Sequence, residues 1–182
     1  PYPFFAALRS KNLPWNKIAI TLTDERCVPV THDDSNEKML RERLLNAQSP
    51  FVSLALEDGE LPVQTVARLE PELRALMPFD VVVLGMGIDS HVASLFPENL
   101  VLSAQTDTLL TVVNDAPKPP VQRISMTPKT LLNTAQLIVH ITGIGKREMI
   151  EEALASGDVV RYPIAAFLLQ QKTPVAIYWT AA

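Results

Sequence analysis

The chain has 182 residues and a formal net charge of −4, with 47% hydrophobic and 20% charged residues. These proportions are typical of a globular protein and exclude a disordered chain, which would be poorer in apolar residues. The acidic balance argues against a nucleic-acid-binding protein, and no apolar run is long enough to span a bilayer. The single cysteine, Cys27, has no partner for an internal disulfide, which fits a reducing compartment such as the cytoplasm.

Apolar runs rich in β-branched residues alternate along the chain with segments of helical periodicity. Strands are predicted over 18–22, 79–84, 109–113, 124–126, 136–142 and 174–179. Helices are predicted over 35–45, 63–77, 145–155 and 164–169. We expect Ser35 to cap the first of these helices, Pro71 to kink or split the second, and Gly157 to end the third. The alternation predicts an α/β fold with a mostly parallel sheet and a single domain over 1–182.

The run over 79–84 is the clearest strand, because it is apolar on both faces as a buried parallel strand should be. It leads into a Gly-x-Gly turn, Gly85 to Gly87, and then into Asp89 and His91. Ligand sites in α/β sheets lie at the carboxyl ends of strands, where glycines let the backbone approach a ligand or adopt positive φ. A histidine beside a carboxylate can act as a general base whose tautomer the carboxylate fixes. A tight turn with a structural aspartate and a surface histidine is the alternative that these residues alone leave open.

Three further polar segments lie next to predicted strands. Asp24 and Arg26 follow the first strand, where they could bind a polar ligand or belong to a surface ion network. Arg123 stands at the end of a Pro-rich turn, and Lys146 follows Gly143 at a predicted helix start, where a lysine and backbone N–H groups can hold a phosphate. Taken alone, either of these last two cations is more often a solvated surface charge.

Several other chemistries find no support in the residue pattern. His140 lies inside an apolar run and is predicted to be a buried, hydrogen-bonded strand residue. His32 lacks partner ligands at a suitable spacing, so no metal is predicted. Cys27 has no histidine placed to activate it and is interpreted as a small buried hydrophobe. Gly85 to Gly87 lacks the third glycine of a dinucleotide fingerprint, so no nicotinamide cofactor is predicted.

Taken together and in this order, the polar segments resemble the glucosamine-6-phosphate isomerase/6-phosphogluconolactonase family, and within it the lactonases. The lactonase pattern is Asp-Glu-Arg-x-Val-Pro, Ser-Asn, Gly-x-Gly-x-Asp-Gly-His-x-Ala-Ser-Leu-Phe-Pro, Lys-Pro-Pro-x-x-Arg and Gly-x-x-Lys. The matching segments are 24–29, 35–36, 85–97, 118–123 and 143–146. The match covers nearly the whole chain, and the part over 91–97 is the most specific.

The resemblance implies a Rossmann-like α/β/α fold with three layers and a mostly parallel sheet. It also implies hydrolysis of 6-phospho-D-glucono-1,5-lactone to 6-phosphogluconate, without a metal or an organic cofactor. His91 would activate water and Asp89 would orient His91, while the backbone N–H groups of the Gly85–Gly87 turn could meet the developing oxyanion.

The resemblance also implies which residues meet the substrate and which partners to expect. The residues expected to contact the sugar phosphate are Asp24, Arg26, Gly85, Gly87, Arg123 and Lys146. The expected partner is this small-molecule substrate, with no nucleic acid and no membrane, and the expected state is a monomer or weak homodimer in the cytoplasm.

Two features depart from the lactonase pattern. Ser90 stands where the pattern has glycine, and if that position needs positive φ, serine costs about 1–2 kcal/mol there. The chain also begins where the pattern would continue after a first strand and a Gly-Gly-Ser-Thr-Pro loop, so we expect an N-terminal strand upstream. These departures keep a non-catalytic sugar-phosphate-binding protein as an alternative. A glucosamine-6-phosphate deaminase is the less favoured alternative, because Phe96 stands where the deaminase pattern has a glutamate.

Overall fold

The computed structural model describes residues 2–46, 48–102 and 107–181. The chain divides into two compact units, one of Pro1–Leu76 with Val112–Ile124 and one of Met77–Thr111 with Ser125–Ala182. The single domain expected from the sequence stays a prediction.

Helices and strands alternate over the described residues. The helices are α1 (Tyr2–Arg9), α2 (Asn36–Arg43), α3 (Pro62–Leu76), α4 (Pro128–Leu131), α5 (Ile144–Ser156) and α6 (Ala165–Leu168). The strands are β1 (Ile20–Thr21), β2 (Asp24–Arg26), β3 (Phe51–Val52), β4 (Phe79–Leu84), β5 (Leu110–Val113), β6 (Arg123–Met126), β7 (Thr134–Thr142) and β8 (Val175–Thr180). The predicted strands and helices are all present with shifted ends, whereas α1, α4, β2 and β3 were not predicted.

The strands form three sheets within the described residues, in the orders β1-β3, β2-β6-β5 and β4-β7-β8. The pairs β1/β3, β4/β7 and β7/β8 are parallel. The expectation of an α/β fold with parallel strands is therefore confirmed.

The helices of the first unit begin and pack as their sequences suggest, with one exception. Ser35 caps α2 by accepting a hydrogen bond from the backbone N–H of Lys38. Helix α3 buries Leu69 and Leu73 on one face. Of the two outcomes predicted at Pro71, the split is wrong, because α3 continues through this residue as a single helix, and the kink stays a prediction. The ring removes one helical hydrogen bond, and packing of the buried face compensates for that loss.

In the second unit, the sheet β4-β7-β8 is packed on one face only. Val82 and Leu84 of β4 are buried, and so are Leu137 and Val139 of the adjacent strand. The opposite face is more open, and Val81 is 53% exposed. The expectation that β4 is buried on both faces is therefore wrong, because an apolar residue is buried only where another element covers its face of the sheet.

The topology of this sheet brings three chain segments to one edge. Strands β4, β7 and β8 run parallel, so their carboxyl ends lie at the same side of the sheet. The segment 85–91 follows β4, Gly143 and the start of α5 follow β7, and β8 ends at Thr180. This is the side at which α/β sheets bind ligands.

Candidate active site

The second unit pairs the two side chains that the sequence predicts as catalytic. Nδ1 of His91 lies 2.5 Å from Oδ1 of Asp89, and the same oxygen accepts the backbone N–H of His91 at 3.3 Å. The His91 side chain is 31% exposed and the Asp89 side chain 42% exposed. The imidazole thus lies at the surface, where it can reach solvent and a bound ligand.

The charge of Asp89 determines which nitrogen of His91 carries the proton. Burial raises the pKa of the Asp89 carboxyl, but the hydrogen bond and the charge of His91 together outweigh this, so that the pKa lies below its usual range. Asp89 is therefore an ionised carboxylate at neutral pH and can only accept hydrogen bonds. The Nδ1 atom must then be the donor, which leaves the lone pair of Nε2 as the basic site.

Gly87 makes room for this pair. A Cβ atom at this position would collide with the imidazole ring of His91 and with Oδ1 of Asp89. The backbone N–H of Gly87 also donates to the carbonyl of His91 at 2.9 Å, and this hydrogen bond joins the two ends of the loop over 87–91. A side chain at position 87 would displace the pair, so glycine is required there for close approach.

This closure changes the expectation about the oxyanion for Gly87 alone, and for the rest of the Gly85–Gly87 turn that role stays a prediction. The N–H of Gly87 is used within the loop, so it is not available to stabilise charge on a substrate. Neither Gly85 nor Gly87 has positive φ, and no atom lies within 4 Å of a Cβ built at Gly85. Positive φ occurs instead at Ser90, three residues beyond Gly87.

Phe96 supports the imidazole from one side. Its ring centroid lies 4.6 Å from that of His91, with the ring planes tilted by 39°. Phe96 is buried, as are the adjacent Leu95 and Ser94. The part of the lactonase pattern that follows the histidine therefore builds a rigid apolar support under His91.

Ser90 has the strained backbone that its place in the pattern suggests. Its φ is 68°, in the left-handed region that favours glycine. The residue is fully buried, its N–H donates to the carbonyl of Gly87, and its carbonyl accepts the N–H of Ile164. Its buried hydroxyl has no hydrogen-bond partner among the described residues. Two costs therefore meet at this position, the left-handed backbone and an unsatisfied polar atom.

We expect Ser90→Gly to raise the free energy of unfolding by about 1–2 kcal/mol and to leave the lactone hydrolysis that the resemblance implies equal or faster. Ser90→Ala removes the hydroxyl but keeps the Cβ, so it should recover only the part due to the unsatisfied atom. Urea unfolding of both variants measures the two contributions. A loss of stability or a large loss of activity in Ser90→Gly would show that the hydroxyl has a role of its own.

The start of α5 lies beside the loop that holds the histidine. Gly143 precedes the helix with φ of 97°, and Lys146 lies in the first turn. A Cβ atom at Gly145 would be 3.1 Å from Cδ1 of Ile88, so the first helical turn abuts the 85–91 loop. Lys146 is half-buried and forms no ion pair over 2–46, 48–102 and 107–181. The loop of Asp89 and His91 and the helix start of Lys146 thus meet within one unit.

In the first unit, the carboxylate of Glu25 accepts hydrogen bonds from several groups of the polar segment after β1. Its carboxylate accepts the backbone N–H groups of Asn36 and Glu37 at 2.8 and 2.7 Å and the hydroxyl of Ser35 at 3.0 Å. It also accepts the N–H of Arg26, at 2.7 Å. Burial raises the pKa of Glu25, and these hydrogen bonds oppose that rise. Glu25 therefore satisfies N–H groups at the start of α2 that have no partner within the helix.

Arg26, Arg123 and Asp24 are close enough within this unit to influence one another electrostatically. Burial, and then the positive charge of Arg26, lower the pKa of Arg123, while Asp24 and Asp34 oppose this. The Nε atom of Arg26 is buried without a hydrogen-bond partner among the described residues, and Nη1 donates to the carbonyl of Asp34 at 2.5 Å.

Arg123 is not the solvated surface charge that the sequence alone favours. It is 6% exposed, and its guanidinium donates to the carbonyls of Pro120 and Lys118 at 3.0 and 2.9 Å. A proline has a backbone carbonyl but no backbone N–H. The Pro-rich turn therefore offers hydrogen-bond acceptors to the buried guanidinium of Arg123.

The remaining predictions from single residues have mixed outcomes. His140 is half-buried on β7, less enclosed than expected. Cys27 is also only half-buried, and burial together with the charge of Glu25 raises the pKa of its thiol to about 11, so it is protonated at neutral pH. His32 lies in an exposed turn, 3.6 Å from a carboxylate oxygen of Asp34.

Two other kinds of feature, a metal site and a membrane span, do not occur among the described residues. Over 2–46, 48–102 and 107–181, no group of three or more potential metal-ligating side chains was found. In the same ranges, no helix combines the length and apolarity that crossing a bilayer requires.

Two contacts beside the histidine loop were missed by sequence reasoning. The indole Nε1–H of Trp179 donates to the carbonyl of Gly143 at 2.9 Å, and Ile88 packs against Gly145. Trp179 lies 36 residues beyond Gly143, and no local pattern indicates that strand and helix start meet there.

The chain is similar to known proteins over nearly its whole length. Residues 1–179 match the family described as glucosamine-6-phosphate isomerases/6-phosphogluconolactonase. A 6-phosphogluconolactonase of Pseudomonas putida is 40% identical over 98% of this chain and 75% of its own length, and one of Rhizobium meliloti is 37% identical over 98% and 80%. The crystal structure of a 6-phosphogluconolactonase from Shewanella baltica superposes with a TM-score of 0.87 at 36% identity, covering 98% of this chain and 78% of that one.

The fold and the sequence comparisons together define an α/β protein of the sugar-phosphate enzyme type. The chain belongs to the glucosamine-6-phosphate isomerase/6-phosphogluconolactonase family. The resemblance drawn from the motifs is therefore confirmed.

Proposed function

We propose that the protein hydrolyses 6-phospho-D-glucono-1,5-lactone to 6-phosphogluconate in the oxidative branch of the pentose phosphate pathway. By consistent homology it is an enzyme, a 6-phosphogluconolactonase. The observation that carries the proposal is the pair of Asp89 and His91, which follows the carboxyl end of β4 and lies at the start of the stretch most specific to the lactonases, 91–97.

His91 is the proposed general base and Asp89 its positioning partner. Nε2 takes a proton from a water molecule as the oxygen of that water attacks the carbonyl carbon of the lactone. The tetrahedral intermediate then expels the ring oxygen, which receives the proton from the imidazolium and becomes a hydroxyl group. Asp89 stabilises the positive charge that His91 carries between these steps. Only water is consumed, so the proposed reaction needs no redox or organic cofactor.

The start of α5 is the proposed binding place for negative charge of the substrate. Lys146 and the first backbone N–H groups of a helix of 13 residues both attract anions. The roles of Asp24, Arg26, Gly85, Gly87 and Arg123 as substrate contacts are carried over from the resemblance and are proposed on that basis. Three-layer α/β/α packing, a cytoplasmic location and a monomeric or weakly dimeric state are proposed on the same basis.

The test is lactone hydrolysis by the full-length protein, corrected for spontaneous opening of the substrate. We expect turnover well above that background. Binding of 6-phosphogluconate without any acceleration would favour the non-catalytic binding protein, which the strained Ser90 keeps as the second candidate. Release of ammonia from glucosamine 6-phosphate would favour a deaminase, and Phe96 argues against that result because its side chain cannot transfer a proton.

A further inference from the structure

The end of β8 holds Gly143 by both of its backbone polar groups. The N–H of Gly143 donates to the carbonyl of Thr180 at 2.8 Å, and its carbonyl accepts the indole N–H of Trp179 at 2.9 Å. Gly143 has φ of 97° and is the residue from which α5 begins. Gly143, with its positive φ, therefore sets the direction in which α5 leaves the sheet. Strand β8 supplies the two hydrogen bonds that hold Gly143 in place.

Trp179 contributes little to a hydrophobic core. Trp179 is 38% exposed and lies near the end of β8, where Ile177 and Tyr178 are more exposed still. The guanidinium of Arg147 lies 5.2 Å from the centre of the indole ring and also bonds to Glu151 at 2.8 Å. The specific contribution of the indole is thus its N–H, directed at a backbone carbonyl, with Arg147 of the first two helical turns stacked on the ring.

On its other side, the first turn of α5 is limited by the histidine loop. The hypothetical Cβ of Gly145 would be 3.1 Å from Cδ1 of Ile88, a residue between Gly87 and Asp89. Any shift of this turn toward the loop would press on Ile88, and any shift away would separate Lys146 from the loop. The position of Lys146 is therefore set between Trp179 and Ile88.

We propose that Trp179 is a positioning residue for substrate binding: its indole N–H fixes Gly143, and through it the first turn of α5 with Lys146, beside the loop of His91. Trp179 acts through Gly143 and does not itself touch the substrate. This inference rests on the proposed lactonase function and on the anion-binding role of the α5 start.

The decisive variant is Trp179→Phe, which keeps an aromatic ring under Arg147 but removes the N–H donor together with the second ring of the indole. We expect the KM for the lactone to rise about two- to tenfold, the range expected for one net hydrogen bond, with kcat changed by less than about twofold. The Kd of 6-phosphogluconate, measured by calorimetry, should rise by the same factor. Tyr178→Phe is the matched control, an aromatic residue one position earlier on β8 that loses its polar atom, and both constants should stay unchanged.

A second variant approaches the same turn from the other side. Gly145→Ala places a methyl group against Ile88 and should raise KM in the same way, even if Trp179→Phe proves unstable. Activity of the wild-type protein is measured first, because it tests the proposed function separately. A failure of that function can then be distinguished from a failure of the role of Trp179. In that active protein, an unchanged KM in a folded Trp179→Phe variant, or a fall in its kcat at constant KM, would overturn the role of Trp179. If Trp179→Phe does not fold, an unchanged KM in Gly145→Ala would overturn the proposal, because the position of the first turn of α5 would then not affect binding.

Discussion

Replacement of His91 by alanine is expected to lower the kcat of lactone hydrolysis by about 10²- to 10⁴-fold, the usual contribution of a positioned general base. Alanine removes the Nε2 lone pair, and the carboxylate of Asp89 that remains is a weaker base than an imidazole, because an ordinary aspartate has a lower pKa than an ordinary histidine. The measurement is background-corrected turnover at saturating lactone. The KM should change much less, because the imidazole acts on the attacking water.

The fold should survive this substitution. His91 is partly exposed, and the neighbouring Val92 and Leu95 are fully buried. The matched control is His32→Asn, because the asparagine oxygen can still accept the N–H of Asp34 that Nδ1 of His32 accepts now. Near-native turnover in His91→Ala, with His32→Asn behaving alike, would show that the imidazole is not the base.

Asp89→Asn is expected to reduce kcat about 100-fold or more while the structure of the loop is retained. The amide group can turn its NH₂ toward Nδ1, which then has to accept a hydrogen bond, and the proton moves to Nε2. The nitrogen that faces the substrate is then no longer basic. Turnover of this variant is compared with that of Asp107→Asn, a second carboxylate of the same unit that also pairs with a cation.

The direction of the Asp89 pKa fixes the pH range in which the pair persists. Because this pKa is lower in the folded protein than in the unfolded chain, the pair adds stability above the ordinary aspartate value of about 3.9. That contribution is lost as the pH falls through the lower, folded-state value. The thermal unfolding temperatures of the wild type and of Asp89→Asn should therefore converge at strongly acidic pH.

For the turnover prediction, unchanged turnover in Asp89→Asn at neutral pH would contradict the positioning role of the carboxylate.

Local patterns were sufficient to predict the elements that carry the histidine loop. Strand β4 is a run of β-branched and apolar residues, and α5 ends at Gly157, which has the left-handed backbone expected at that place. The positive φ at Ser90 was also predictable, because the lactonase pattern has glycine there. In each of these cases the determining residues are neighbours in sequence.

Contacts between distant residues account for what was missed. Glu25 caps α2 from a strand that lies 11 residues before Asn36, and Trp179 reaches Gly143 across 36 residues. The two-residue strand β3 exists only because β1 lies beside it, so its own sequence carries little signal. The exposure of Val81 depends on which element covers its face of the sheet, and the sequence of the strand itself does not determine that.

The central claim is that His91 and Asp89 act as one catalytic unit on the lactone. The rate of the double variant, His91→Ala with Asp89→Asn, tests this most directly when compared with both single variants. If Asp89 works only by orienting and stabilising His91, the double variant should turn over lactone at the same rate as His91→Ala alone. If instead the two losses multiply, the residues act independently, and the proposed mechanism is wrong.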